Sequence, residues 1–325
     1  MKIFVYGQRP FDEAYYFEKY TQELGIEYNY TTRPFSKEII DLATGYDAIS
    51  ISTTPVDKEC LDRFKELGVK IISTRSIGYD HIDIEYAKSI GIKVTNVSYN
   101  SECVAEFTMM LLLMTLRKCK SIMNGASAND YTLQGLSGEL LCTKTVGIIG
   151  TGKIGRTVLR YLKGFGCKVY AYSFHPDPTL GVEYLPLDEL FTKCDVITLH
   201  TALTADTHHI INKEAIDKMP DGAVIINTAR GGLIDTDALI DALESGKIGA
   251  CGFDAIEDEG EYIWNDRKQT VLKNRRFAIL RNMPNVLITP HIAFYTQETV
   301  SDMVRNSLLS CVLEEREEKN PWRIV

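Results

Sequence analysis

Short apolar runs rich in β-branched residues recur along the chain, and a helix-length segment follows each of them. Runs that are apolar on both faces are typical of buried parallel strands, and their alternation with helices indicates successive βαβ units. The pattern predicts strands at residues 2–6, 46–52, 69–73, 92–97, 145–149, 167–172, 195–200, 223–227, 249–254 and 286–289.

These strands fall into two series, and the 325 residues exceed what one hydrophobic core usually organises, about 250–300 residues. We therefore predict an α/β protein with two doubly wound parallel-sheet domains. A predicted helix at 101–120 connects them and contains the most apolar stretch, 107–116. That stretch is too short to span about 30 Å of hydrocarbon, so we interpret it as a buried helix.

Charge and cysteine content exclude several classes of protein. The formal net charge is -8, and the sequence has no Lys/Arg-rich block, so neither nucleic acid nor a membrane is an expected partner. Eight scattered cysteines show no zinc-ligand spacing, and no metal is predicted. Unpaired thiols and an N-terminus without the apolar run of a signal peptide lead us to expect a cytoplasmic protein.

The strongest local motif is a G-x-G-x-x-G pattern formed by Gly150, Thr151, Gly152, Lys153, Ile154 and Gly155. Gly150 permits a tight turn, Gly152 lets the backbone approach a pyrophosphate, and Gly155 lets helix and strand pack closely. Glycine-rich turns also occur for structural reasons alone. Here a predicted strand precedes the motif and a predicted helix follows it, which favours dinucleotide binding.

The residue that would contact the adenosine ribose departs from the usual pattern. An acidic residue is expected about 20 positions after the motif, but Ser173 stands there. A serine does not repel a 2′-phosphate, yet no arginine follows at once to bind one. Both NAD(H) and NADP(H) therefore remain open as cofactors. Further predicted cofactor contacts are Thr201 and Thr228.

Three groups suited to 2-keto acid chemistry directly follow predicted strands, where open α/β sheets bind their ligands. Arg230 can grip a carboxylate with its planar fork, and His291 can give a proton to a developing alkoxide. One acid of the run 257–259 could orient the histidine. Arginine and histidine at strand ends are also common structural residues, and periodicity does not distinguish the three acids.

Several linked motifs resemble the D-isomer-specific 2-hydroxyacid dehydrogenase family: TVGIIGTGKIG, INTARGG, GFDAIEDE, ITPHIAF, RSIGYDHID and NVSYNSECVAEF. The resemblance covers essentially the whole chain and is greatest to the D-lactate dehydrogenase branch, which includes the vancomycin-resistance type. It implies a Rossmann cofactor domain, 101–298, inserted into a flavodoxin-like substrate domain formed by 1–100 and 299–325. It also implies a homodimer.

The resemblance assigns roles to individual residues. It implies that Arg230, Glu259 and His291 are catalytic, with Arg230 also binding substrate, and it selects Glu259 because that residue is the fifth after Asp254. It further implies that Asp254 contacts the nicotinamide carboxamide.

The same resemblance points to the substrate pocket. It implies that backbone amides at Ile77 and Gly78 hold the substrate carboxylate and that Tyr99 borders the substrate. The function expected is reversible NAD(P)H-dependent reduction of a 2-keto acid to a D-2-hydroxy acid. Reduction of pyruvate to D-lactate is the first candidate reaction. Reduction of a bulkier acid, such as 2-ketoisocaproate or phenylpyruvate, is one alternative. A non-catalytic NAD(H)-sensing co-repressor is another. No role is assigned to His208 or His209.

Overall fold

The structure, a computed structural model, describes residues 1–325 apart from the side chain of residue 261. The strands are β1 (Lys2–Tyr6), β2 (Glu27–Thr31), β3 (Ala48–Ile51), β4 (Ile71–Thr74), β5 (Lys93–Thr95), β6 (Thr145–Ile149), β7 (Lys168–Tyr172), β8 (Glu183–Tyr184), β9 (Val196–Leu199), β10 (Ala223–Asn227), β11 (Ile248–Phe253) and β12 (Val286–Ile288). The α-helices are α1 (Ala14–Leu24), α2 (Lys58–Glu66), α3 (Ile84–Ile90), α4 (Glu102–Leu116), α5 (Cys119–Ser127), α6 (Lys153–Phe165), α7 (Leu187–Lys193), α8 (Lys213–Lys218), α9 (Thr236–Ser245), α10 (Arg275–Asn282) and α11 (Gln297–Glu315).

The first compact unit contains residues 1–100 and 295–325. The chain therefore returns to this unit at residue 295, whereas the predicted boundary is at residue 299. Its parallel sheet has the order β2-β1-β3-β4-β5. Strands β3 and β4 are buried along their whole length because α/β layering covers both faces. Helix α11 covers one of those faces, where Val304, Leu308 and Cys311 pack into the core that also holds Ile3 and Val5.

The second compact unit contains residues 101–294. Its sheet is also parallel and has the order β12-β11-β10-β9-β6-β7-β8. The chain starts at β6, adds β7 and β8 on one side, and then crosses to build β9 through β12 on the other. The predicted fold class, two doubly wound parallel-sheet domains, is confirmed. The change of direction places a crevice at the carboxyl ends of β6 and β9, where such sheets bind ligands.

The apolar stretch 107–116 lies in α4, which packs in the core of the second unit. Leu111 and Leu112 are buried there beside Val146 and Ile148 of β6. The single helix predicted at 101–120 is wrong, because the structure has two helices, α4 and α5, separated at Lys118. Lys118 adopts a left-handed backbone conformation (φ 52°), which interrupts the helix. The sequence has no glycine or proline there that would predict this break. Among the described residues, no helix combines the length and apolarity needed to cross a bilayer.

Candidate active site

Three neighbouring strands of the second unit, β10, β11 and β12, end at the same edge of the sheet. Backbone hydrogen bonds join the segments that leave them. Asp254 N donates to Asn227 O at 2.9 Å, and Thr289 N donates to Phe253 O at 2.8 Å. Arg230, Glu259 and His291 lie on these three segments, so parallel pairing alone brings their segments to one edge.

Glu259 and His291 form the closest polar contact of the site. His291 Nδ1 lies 2.5 Å from Glu259 Oε1, and both side chains are largely shielded from solvent. An ionised carboxylate only accepts hydrogen bonds, so Nδ1 carries the proton of this contact and Nε2 is the nitrogen left for substrate. The backbone N–H of Ile256 donates to the other oxygen, Oε2, at 2.7 Å. The carboxylate is thus fixed at both oxygens and in turn fixes the plane of the imidazole.

The backbone at His291 is held in the left-handed region, with φ at 54°. Such a conformation costs energy for a residue with a β-carbon, so surrounding contacts must maintain it. The buried carboxylate of Asp254 supplies them, accepting hydrogen bonds from Thr289 Oγ1 at 2.6 Å, Ile292 N at 3.0 Å and Ala293 N at 2.7 Å. Asp254 therefore clamps the turn that carries His291. Its implied contact with nicotinamide stays a prediction.

Trp264 provides a second constraint on the same turn. Its indole Nε1 donates to the carbonyl oxygen of His291 at 3.2 Å. Its ring stands edge-on to the His291 ring, with centroids 6.2 Å apart, and edge-on to Phe294, with centroids 5.8 Å apart. Sequence reasoning assigned no role to Trp264. Its rarity and position could have pointed to it. The chain has only two tryptophans, and this one lies in the long stretch between Glu259 and His291.

Arg230 lies on a segment that packs backbone against backbone with the Glu259 loop. Its carbonyl accepts a hydrogen bond from Asn227 Nδ2 at 2.9 Å, and its Nη1 donates to Ala229 O at 2.9 Å. A β-carbon at Gly231 would lie only 2.0 Å from the carbonyl carbon of Ile256, so glycine is required there. The structure thus holds the arginine beside the segment whose amide positions Glu259.

This arrangement can perform a polar addition to a carbonyl that has a carboxylate beside it. Arg230 offers a planar pair of donors suited to a carboxylate. His291 offers a ring nitrogen that can give a proton to the carbonyl oxygen, and Glu259 holds that ring in place. The three catalytic candidates were identified from sequence, whereas the Ile256 amide and the Asp254 clamp were not.

The glycine motif forms the turn between β6 and α6, as the spacing predicts. Gly150 has φ at 96°, and a β-carbon there would lie 2.5 Å from His200 O. A β-carbon at Gly155 would lie 1.9 Å from Gly150 O, so this glycine lets the helix approach the strand. Gly152 caps α6 without a side-chain hydrogen bond and faces open space. Exposed first-turn amides at a helix N-terminus fit a pyrophosphate.

The other predicted cofactor residues lie in the second unit at the ends of β7, β9 and β10. Ser173 Oγ and the backbone of His175 exchange hydrogen bonds of 3.2 Å, which ties the serine into its own turn. Thr201 N lies 2.9 Å from where a Gly150 β-carbon would be. Thr228 Oγ1 is 2.8 Å from Thr108 Oγ1. Roles in cofactor binding for these residues stay predictions.

His200, directly behind the glycine turn, makes the stability of the protein sensitive to acid. Burial lowers its pKa from 6.5 to about 3, and its Nε2 lies 2.9 Å from Thr198 Oγ1. Between these two pH values the unfolded chain binds a proton that the folded protein does not. The contribution of neutral His200 to the free energy of unfolding is therefore fully present above pH 6.5. It is lost as the pH falls towards 3.

We expect His200→Gln to weaken this acid sensitivity, because glutamine can still bond Thr198 but does not titrate. Urea unfolding at neutral pH and at about pH 4.5 should show that the wild type loses about 2 kcal/mol more than the variant. Equal losses in both proteins would mean that other groups control acid unfolding.

The predicted substrate contacts belong to the first unit. Ile77 and Gly78 follow β4, and Tyr99 follows the adjacent strand β5, so both segments leave the carboxyl edge of that sheet. Arg75 fixes the first of them: its fully buried guanidinium donates to Glu13 Oε1 at 3.2 Å and to backbone carbonyls of residues 6 and 7. Their contact with substrate stays a prediction.

Comparisons with known proteins agree with this geometry. Residues 109–293 match the NAD binding domain of D-isomer specific 2-hydroxyacid dehydrogenases. The chain is 41% identical to a D-specific alpha-keto acid dehydrogenase of Enterococcus faecium over 98% of both proteins. It is 40% identical to an aromatic 2-oxoacid reductase of Clostridium sporogenes over 95% of both. A D-lactate dehydrogenase structure from Treponema pallidum superposes with a TM-score of 0.87 at 34% identity, covering 100% of both chains.

Proposed function

The chain belongs to the D-isomer specific 2-hydroxyacid dehydrogenase family, an NAD-dependent family, and from that premise we propose that it reduces pyruvate to D-lactate with NADH. The observation that carries the reaction type is the 2.5 Å contact between His291 Nδ1 and Glu259 Oε1. The segments that carry Glu259 and His291 adjoin the segment that carries Arg230, at the edge of the sheet where ligands bind.

Each residue has a distinct task in this proposal. Arg230 binds the carboxylate of the keto acid and orients the neighbouring carbonyl. When bound, the nicotinamide cofactor supplies the hydride that adds to the carbonyl carbon. His291 gives its Nε2 proton to the oxygen, whose charge would otherwise build up as an alkoxide. Glu259 holds the imidazole in place and stabilises its positive charge before the transfer.

The residues at the glycine turn fit a dinucleotide. Gly150 and Gly155 each meet a steric requirement of the turn, Gly152 leaves open space at the start of α6, and the N-terminus of that helix presents uncapped amides. Within the proposal, NAD(H) is the cofactor, because the chain matches an NAD binding domain. Ser173 leaves no carboxylate at the ribose position to exclude a 2′-phosphate, so we propose weak discrimination against NADPH.

We therefore expect Ser173→Asp to lower kcat/KM for NADPH relative to NADH by about tenfold to a hundredfold. The new carboxylate would repel the 2′-phosphate and could accept hydrogen bonds from the ribose hydroxyls. Steady-state kinetics with both cofactors would measure the ratio. Ser173→Asn is the matched control, because asparagine has nearly the same shape as aspartate but no charge. It should leave the ratio close to that of the wild type. An unchanged ratio in Ser173→Asp would place the ribose elsewhere.

A larger keto acid is the second candidate substrate. Similarity to an aromatic 2-oxoacid reductase favours it, as do the aromatic rings of Trp264, which packs edge-on to His291, and of Phe294, which packs edge-on to Trp264. Apolar aromatic surfaces near the reacting centre would stabilise a bulky apolar side chain. This candidate uses the same three catalytic residues and differs only in the side chain accepted.

An NADH-oxidation assay with pyruvate, 2-ketoisocaproate and phenylpyruvate tests both candidates, and His291→Gln protein serves as the blank. The highest kcat/KM with pyruvate would support the first, and a phenylpyruvate value ten times greater would replace it with the second. If folded protein binds NADH but oxidises it with none of the acids, the dehydrogenase proposal is contradicted. A sensor or co-repressor role would then become the leading hypothesis.

A further inference from the structure

Among the side chains that the structure describes, one group of three potential metal ligands lies outside the catalytic residues. It consists of His208, His209 and Glu257, and one ligand atom from each lies within 4.8 Å of the others. We propose that this cluster, the histidine-pair site, binds a single divalent transition-metal ion, with Zn²⁺ as the best fit. The proposal goes beyond the dehydrogenase function, which assigns no task to either histidine.

The interatomic distances are close to those of a metal site. His209 Nε2 lies 2.8 Å from Glu257 Oε1. Zinc bonds to nitrogen and oxygen of about 2.0–2.2 Å place neighbouring tetrahedral ligands about 3.3 Å apart. The two imidazoles are stacked, with centroids 3.8 Å apart and planes inclined by 26°. Because the lone pair of a ring nitrogen lies in the ring plane, the exposed His208 ring would rotate out of this stack to place its nitrogen on an ion bound by His209 and Glu257.

The backbone holds the two histidines on a defined turn. His208 N donates to Thr204 O at 2.9 Å, and His209 N donates to Gly232 O at 2.9 Å. His209 has φ at 51°, a left-handed conformation that histidine adopts more readily than most residues. Because the turn is fixed at both residues, metal binding would not have to order a mobile loop.

The carboxylate is also oriented. Thr236 Oγ1 donates to Glu257 Oε2 at 2.8 Å, which leaves Oε1 directed at His209. The hydrogen bond from Thr236 gives this carboxylate the outer-shell support that metal ligands usually have.

The type of ion follows from the donors. Two imidazoles and one carboxylate suit zinc and its neighbours rather than magnesium or calcium, which prefer oxygen ligands alone. His208 is exposed, so a fourth position can be filled by water. Arg276 Nη1 lies 3.7 Å from Glu257 Oε2, and its positive charge opposes a cation. We therefore expect weaker binding than at a closed four-ligand structural site.

Cobalt(II) titration of the metal-free full-length protein tests the site, because its visible d–d bands report coordination. We expect one cobalt per chain, bands typical of a four- or five-coordinate ion without thiolate charge transfer, and displacement by Zn²⁺. His208→Gln should weaken binding by about tenfold or more. His175→Gln removes another exposed histidine of the same unit and is the matched control, which should bind as the wild type does.

Two further variants separate the proposed site from its competitors. Cys142→Ser removes an exposed thiol, and His291→Gln removes a second histidine that contacts a glutamate; both should keep cobalt binding. Zn²⁺ should also raise the Tm of wild-type protein but not of His208→Gln, since only a folded site binds. Wild-type affinity in His208→Gln, a thiolate band, or loss of binding in either of these two variants would overturn the proposal.

Discussion

Replacing His291 by glutamine is expected to lower kcat for 2-keto acid reduction by about 10²–10⁴-fold, the usual contribution of a positioned general acid. Glutamine is close in size and can still donate a hydrogen bond to Glu259, which lies 2.5 Å from the imidazole. It has no acidic proton to give to the substrate oxygen, so the loss reports proton transfer rather than packing. Steady-state kinetics with NADH would measure kcat, and NADH fluorescence would show that cofactor binding is retained.

Glu259→Gln provides the graded comparison. Its amide can still contact His291, and an amide oxygen can still accept from the Ile256 N–H, a 2.7 Å bond in the wild type. It no longer stabilises the charged imidazole, so we expect a smaller loss in kcat than for His291→Gln. A kcat in His291→Gln within about tenfold of the wild type would mean that another group delivers the proton.

Sequence reasoning located every strand except β2 and β8. It gave the observed bounds for β1, β6 and β10, which are buried along most of their length. Two edge strands were missed for physical reasons. β2 is largely exposed and carries the mixed sequence EYNYT, and β8 has only two residues, too few for any period to be visible. The information that makes them strands lies in their neighbours, not in their own residues.

The candidate active site also contains residues that the sequence pattern predicts and residues that it does not. Arg230 and His291 stand directly after apolar runs, so their arrival at one edge of a parallel sheet follows from the sequence pattern. The groups that position them leave no such pattern. An amide such as that of Ile256 is present in every residue type except proline, and the Asp254 clamp depends on the path of residues 289–293. Choosing Glu259 among three consecutive acids needed the family resemblance, and the His291 contact supplies the geometric reason.

Replacing Arg230 by lysine is expected to lower kcat/KM for pyruvate by about 10²–10³-fold, although the positive charge is kept. Lysine lacks the planar pair of donors that can bind a carboxylate at two oxygens and orient the adjoining carbonyl. The substitution leaves the 2.9 Å bond from Asn227 Nδ2 to the carbonyl of residue 230 in place and removes the 2.9 Å bond from the Arg230 guanidinium to the carbonyl of Ala229. Because the removed bond joins adjacent residues, the loss should come from substrate orientation rather than from folding.

Inhibition by oxamate, which has the carboxylate and carbonyl of pyruvate but no reactive ketone, separates binding from chemistry. We expect the oxamate inhibition constant to rise in Arg230→Lys and to rise further in Arg230→Ala, while NADH affinity stays near that of the wild type. Added guanidinium should restore part of the activity of Arg230→Ala, because it replaces the missing donors. Unchanged oxamate affinity in Arg230→Ala would show that the substrate carboxylate is bound by other residues, and the role of Arg230 would then be confined to the carbonyl.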